Sequence, residues 1–229
     1  MDKTKWLIEQ FFEHISDNKK EKFQKNIQNR TRHITVLLEN LFQPHNASAV
    51  LRSCDCFGVQ DIHIIENYNK YTTNREIDMG SSKWLNLYKY NQAEHNTVEA
   101  INHLKSKGYK IVATTPHTDD CTIDELPIDQ PVALMFGTEL TGLTDIALEH
   151  ADAYVKLPMY GFTESYNISV SVALALFNVT ERIRKDNNIN WRLSENEQDE
   201  ILLDWSKKVV KHSSKVEAIL NKRFESETN

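Results

Sequence analysis

One segment, Leu157–Asn178, with the strand ending that leads into it, constrains the fold more than any other. Tyr154-Val155-Lys156-Leu157 has the look of a buried strand ending, and Pro158 stops it because proline cannot donate to a sheet neighbour. A short loop follows with Gly161, Ser165 and Asn167. Ile168, Val172, Ala175, Leu176 and Val179 then recur at helical spacing. A loop between a strand end and a helix start is where open α/β folds bind their ligands.

The same grammar repeats upstream. Ile34–Leu38, Gln60–Glu66, Tyr109–Thr114 and Pro131–Phe136 read as strands. Between them lie helical stretches: one from Asn46, placed to cap it, to about Phe57, where Gly58 ends it; one from about Thr97 to Lys107, ended by Gly108; and a short one to about His150. Residues 67–95 read as polar and irregular. Strands alternating with helices predict an α/β fold, a mostly parallel sheet with helices on both faces. Residues 4–28 predict a helix, apolar at first and then basic. Ser194-x-x-Glu197 opens a last helix over about 194–222 through a capping box. The expected organisation is an N-terminal helical, basic extension over 1–32, a core domain over 33–185 and a C-terminal helical extension over 186–229.

The net charge of −6 gives no global signal for nucleic acid, so an RNA-binding surface must be local. Lys22, Lys25, Arg30 and Arg32 belong to the basic run that supplies one, and the Lys-rich last helix another. Lys83, beside Trp84, is a further candidate for phosphate. Three cysteines make no even disulfide set, and none has zinc-ligand spacing; all three read as reduced core or pocket thiols. The scattered histidines form no metal constellation. The amphipathic N-terminus carries charges throughout, and no apolar run is long enough to span a bilayer. The expectations are no membrane, no metal and a cytoplasmic location.

Three strand-to-loop segments, 37–52, 134–143 and 157–167, put Gly, Asn, Ser or Pro directly after a buried strand. Gly137 and Gly161 would let backbone approach a ligand closely. GxGxxG, GxxxxGK[ST] and GxSxG are all absent, which argues against a dinucleotide cleft, a phosphate-binding P-loop and a nucleophile elbow.

Asn46-x5-Arg52 within QPHNASAVLRSCDCFGV, Phe136-Gly137-Thr138-Glu139-x-x-Gly142, and Leu157-Pro158-Met159-x-Gly161-x3-Ser165-Tyr166-Asn167 agree in order and spacing with a known pattern. They resemble the three motifs of the SpoU branch of the SPOUT RNA 2′-O-ribose methyltransferases. Gly80-Ser81-Ser82-Lys83-Trp84 and the terminal extensions look like the members acting on tRNA guanosine. The likeness covers roughly residues 25–185. It implies a C-terminal deep trefoil knot, a homodimer, and S-adenosylmethionine held by Thr114, Gly137, Leu157, Met159 and Tyr166. It also implies catalytic roles for Arg52, Asn46, Glu139, Ser165 and Asn167. Arg52 would meet the reacting hydroxyl as a base or clamp a phosphate. Asn46 would orient Arg52 or the ribose, Glu139 would pair with an arginine or hold its loop, and Ser165 and Asn167 would order the third loop.

The implied reaction is methylation of a ribose 2′-oxygen in tRNA, at the D-loop guanosine (position 18). The rivals are ribosomal RNA or another tRNA position as target, and a non-catalytic RNA-binding protein of the same fold. Tyr166 stands where the family has leucine and Leu157 where it has isoleucine.

Overall fold

The computed structural model describes residues 2–228 except Phe42, Glu94, Thr118 and Asp119, and omits the side chains of Arg75 and Thr228. It divides into two compact units. One comprises residues 31–191, the other residues 1–30 with 192–229.

The larger unit is built on a six-stranded sheet of β1 (Ile34–Glu39), β2 (Asp61–Ile65), β3 (Asn86–Tyr90), β4 (Lys110–Thr114), β5 (Val132–Phe136) and β6 (Ala153–Val155). Every neighbouring pair is parallel, in the order β3-β2-β1-β5-β4-β6. Parallel neighbours cannot be joined by a tight turn, so longer crossover segments, most of them helical, connect the strands.

Side chains of a strand alternate between faces, and β1 shows both destinations. Val36 and Leu38 pack into one core with Val50 and Leu51 of helix α3 (Pro44–Phe57) and with Val172, Leu176 and Val179 of helix α7 (Ile168–Lys185). Leu37 packs into a second core with Ile101 and Leu104 of α5 (Asn96–Ser106) and Ala147 of α6 (Asp145–Glu149). Strands buried from both sides can be apolar throughout, as ITVLLE and VALMF nearly are.

Several elements differ from expectation. Residues 67–95 contain the short helix α4 (Arg75–Asp78), a 3₁₀ turn (Ser81–Trp84) and the edge strand β3. The sequence hides β3 because an edge strand is half solvated and NLYKY lacks a continuous apolar run. Asn46 does not cap α3. The helix begins one turn earlier at Pro44, whose missing N–H costs nothing at a helix start, and the cap position is Gln43. Gly58 does end α3, in the left-handed region at φ 77°. Cys54 is buried, but Cys56 is exposed and belongs to neither core nor pocket.

The smaller unit contains α1 (Lys3–Phe12), α2 (Asp17–Ile27), α8 (Glu195–Val209) and α9 (Ser213–Thr228). The single helices expected at each end are two apiece. The first breaks around Ser16, and the second at His212, which adopts φ 54°. Trp6, Leu7, Phe11 and Leu220 form its apolar centre. The capping box at Ser194 and Glu197 is present as the sequence predicts. Among the described residues no helix is long and apolar enough to cross a membrane.

Candidate active site

The chain lays β2 and β3 on one side of β1, then returns to build β5, β4 and β6 on the other. A cleft of about 390 Å³ opens over the carboxyl ends of these last three strands. Thr114–His117 after β4, Phe136–Leu143 after β5 and Leu157–Tyr166 after β6 contribute to its wall, together with Ile168 and Ser171 of α7. This is the place where an open parallel sheet leaves room for a ligand.

The loop after β5 closes on itself. Thr138 N–H donates to the Gly142 carbonyl at 2.9 Å and Gly142 N–H returns a bond to Thr138 at 3.0 Å. Thr138 Oγ1 also accepts from the Thr141 N–H at 3.1 Å. A Cβ on Gly137 would fall 2.1 Å from the Gly142 carbonyl carbon and oxygen. The bare backbone at Gly137 thus admits the loop's own return, whereas the sequence suggested room for a ligand. At Gly161 a Cβ would meet nothing closer than 4.0 Å.

Behind the loop lies a feature with only a faint trace in the sequence. Glu39 ends β1 with a carboxylate 1% exposed. It accepts from Thr144 N–H at 2.9 Å, Thr144 Oγ1 at 2.8 Å and Thr97 Oγ1 at 2.7 Å. A buried carboxylate needs such donors, and here they fix the exit of the glycine loop. The signal was a lone acid closing an otherwise apolar strand.

The structure brings three of the five catalytic candidates together. Asn46 Nδ2 donates to Glu139 Oε1, and to Gln43 Oε1 at 3.0 Å. Asn167 Nδ2 donates to the same Glu139 oxygen at 3.0 Å and lies 3.2 Å from Asn46 Oδ1. Asn167 also caps α7, its Oδ1 accepting from the Ser169 N–H at 2.9 Å. One hydrogen-bonded cluster therefore joins the segments after β1, β5 and β6. Glu139 holds its loop through amides, not through an arginine. Ser165 lines the cleft.

Arg52 is not in the cleft wall. It is exposed on α3, and its guanidinium has no hydrogen-bond or ion-pair partner among the described residues.

Of the cofactor candidates, Thr114, Gly137, Leu157, Met159 and Tyr166 all line the cleft. Thr114 Oγ1 donates to the Met135 carbonyl at 2.7 Å, and the Tyr166 hydroxyl to the Pro158 carbonyl at 3.1 Å. The extra hydroxyl of Tyr166 thus ties its loop back on itself.

The RNA candidates fare unevenly. Lys22 and Lys25 are exposed on α2. Arg30 is 5% exposed, its guanidinium 5.3 Å from the centre of the Trp205 ring. Arg32 pairs with Asp61 at 2.9 Å. Lys83 sits 5.2 Å from the Trp84 ring centre.

Residues 33–177 match the family described as SpoU rRNA Methylase. The chain is 44% identical over 207 residues to the tRNA (guanosine(18)-2′-O)-methyltransferase of Borreliella burgdorferi, covering 90% of this chain and 93% of that one. It is 32% identical over 194 residues to the enzyme of the same name from Thermus thermophilus, covering 84% and 98%. The crystal structure of the A. aeolicus TrmH/SpoU tRNA modifying enzyme superimposes with a TM-score of 0.75 at 28% identity, over 85% of this chain and 98% of that one. With a parallel sheet, a cleft over the carboxyl ends of β4, β5 and β6 and three motif loops joined at Glu139, the chain belongs to the SpoU methylase family.

Proposed function

We propose that the chain transfers a methyl group from S-adenosylmethionine to the ribose 2′-oxygen of tRNA guanosine 18, in the D-loop. The carrying observation is the cluster of Asn46, Glu139 and Asn167, which ties three distant loops beside one cleft. The two relatives named for this reaction align over most of this chain.

The residues present suit the cofactor. The cleft volume falls in the range of about 300–1,000 Å³ common for small-molecule sites. Leu143, Leu157, Met159 and Ile168 give apolar wall, Gly137 and Gly142 bare main chain, and the Glu139 and Glu164 carboxylates suit a cationic ligand. When bound, the cofactor supplies an electrophilic methyl on a positive sulfur. The protein's part is to hold the sugar hydroxyl in line with it, and positioning of this kind is worth about 7–11 kcal/mol in favourable cases.

Arg52 serves that positioning. A guanidinium stays charged in proteins and grips phosphate through two parallel hydrogen bonds, so a clamp on the RNA backbone suits it better than proton abstraction. Its place outside the cleft wall is consistent with a homodimer in which Arg52 of one copy serves the cleft of the other. Val170, Leu174 and Phe177 form an exposed apolar stripe on α7, and the Phe177 ring lies 6.4 Å from that of Phe57, on the same helix as Arg52. A second copy covering this stripe would approach Arg52.

Thr122 bridges to Lys156 just past the end of β6, and Arg182 of α7 holds this segment by donating to the Ile123 and Leu126 carbonyls at 2.9 and 2.6 Å. That arrangement supports a trefoil knot in this part of the chain. The terminal segments, carrying Lys22, Lys25, Lys207, Lys208, Lys211 and Lys215, serve tRNA binding in the cytoplasm.

Labelled-methyl transfer to unmodified tRNA tests the reading. Arg52→Ala should lose at least about a hundredfold in rate, the scale of one lost positioning contact near the chemistry, with cofactor affinity retained. Full activity of Arg52→Ala would remove Arg52 from the mechanism. Mixing Arg52→Ala with a cofactor-binding variant should restore activity if the arginine acts across the dimer.

A further inference from the structure

Among the described residues, the three large apolar side chains more than nine-tenths exposed are Leu140 (98%), Tyr160 (97%) and Phe162 (108%). All three stand on two of the three loops that contribute to the cleft: Leu140, itself in the wall, on the glycine loop after β5, and the aromatics, outside the wall, on the loop after β6. The remaining exposed apolar residues are scattered or lie along α7.

Leaving whole aromatic rings in water forgoes burial that a folded chain normally takes. The cleft wall beside these loops includes two carboxylates, Glu139 and Glu164, and among the described residues it contains no lysine or arginine. Carboxylates repel a phosphate, but they do not repel the flat face of a nucleobase. If a ribose is to reach into the cleft, its base must rest just outside, against this rim.

We infer that Tyr160 and Phe162 form a stacking platform for the base of the target nucleotide, with Leu140 closing the opposite edge. The inference rests on the methyl-transfer reading above and adds a substrate-binding subsite to it. RNA-binding proteins commonly recognise unpaired loop nucleotides by splaying out the base and stacking it on aromatic rings. Such platforms accept any base by its face, so this one contributes affinity and placement, while other contacts choose the nucleotide.

The test compares wild type, Tyr160→Ala, Phe162→Ala and Phe162→Trp in single-turnover methyl transfer. Two unmodified tRNAs are used, one intact and one lacking only the base at the target nucleotide. On intact tRNA each alanine variant should be about 5- to 150-fold slower, the range expected for one base–aromatic stack, and Phe162→Trp should stay near wild type. On the base-less tRNA, wild type and the alanine variants should converge. Affinity for S-adenosylmethionine should be unchanged throughout. Equal losses on both tRNAs, or unimpaired alanine variants, would overturn the platform. So would a loss recovered at high protein concentration alongside a sedimentation shift toward monomer, which would assign the rings to a protein interface. If wild type transfers no methyl to any RNA, the proposed function fails, and the platform with it.

Discussion

Gly137 carries the sharpest constraint at the residue scale. The glycine loop returns so closely on itself that an added methyl would overlap the Gly142 carbonyl group. Backbone cannot yield as a flexible side chain can. Gly137→Ala should therefore weaken S-adenosylmethionine binding by at least about tenfold in calorimetry, in line with the 1–3 kcal/mol typical of overpacking. Unchanged affinity would mean that the loop opens without consequence. The sequence marked the right glycine for an incomplete reason, because the returning strand of the loop lies five residues away and no local pattern reports its closeness.

His63 makes a second residue-scale point. It is buried against Tyr88 and Tyr90, its Nδ1 2.8 Å from the Tyr90 hydroxyl, and burial pushes its pKa down to about 3 from 6.5. As pH falls below 6.5 the unfolded chain takes up a proton that the folded chain refuses, so stability declines continuously toward pH 3. The expected loss between pH 7.5 and 5 is about 2 kcal/mol for this group. His63→Phe should flatten that part of the profile in urea titrations, and an unaltered slope would count against the assignment.

At the scale of elements, the strands and the helix caps were the most legible. β1, β2, β4 and β5 are short β-branched or apolar runs bounded by breakers, and Gly58, Gly108 and Ser194 mark helix ends by chemistry that acts within a few residues. Elements that depend on distant partners were not legible. β3 exists because β2 offers it a parallel edge, with Ile62 opposite Leu87 and Ile64 opposite Lys89. The breaks at Ser16 and His212 interrupt stretches whose composition would let a helix continue. Arg182 belongs to the same class: it sits in the last turns of α7, yet its guanidinium holds the carbonyls of Ile123 and Leu126, more than fifty residues back. Arg182→Ala should cost about 2–3 kcal/mol, since hydrogen bonds to a charged group are worth roughly 1.5–3 each and neighbouring water replaces part of them. Thermal unfolding checks this, and Arg182→Lys should recover part of the loss. A melting temperature equal to wild type would show that the contact is not stabilising.

At the scale of the whole molecule, the candidate site was legible as three separate motifs, and the fold explains why they had to be separate. Parallel strands place all their carboxyl ends at one edge of the sheet, so loops far apart in sequence meet there. Asn46, Glu139 and Asn167 meet through hydrogen bonds that spacing alone could not reveal. Arg52 is the exception, since nothing among the described residues draws it into the cleft wall. Under the dimer proposed above, its partners would belong to the second copy and leave no signature in the pairing of residues within one chain.

The most direct measurement is to incubate the protein with S-adenosylmethionine and unmodified tRNA, then map the product nucleotide by nucleotide with mass spectrometry. The expected result is one 2′-O-methyl group, on the D-loop guanosine at position 18, absent with Arg52→Ala. A methyl group on a base, on ribosomal RNA in preference to tRNA, or at the same ribose with Arg52→Ala fully active would contradict it.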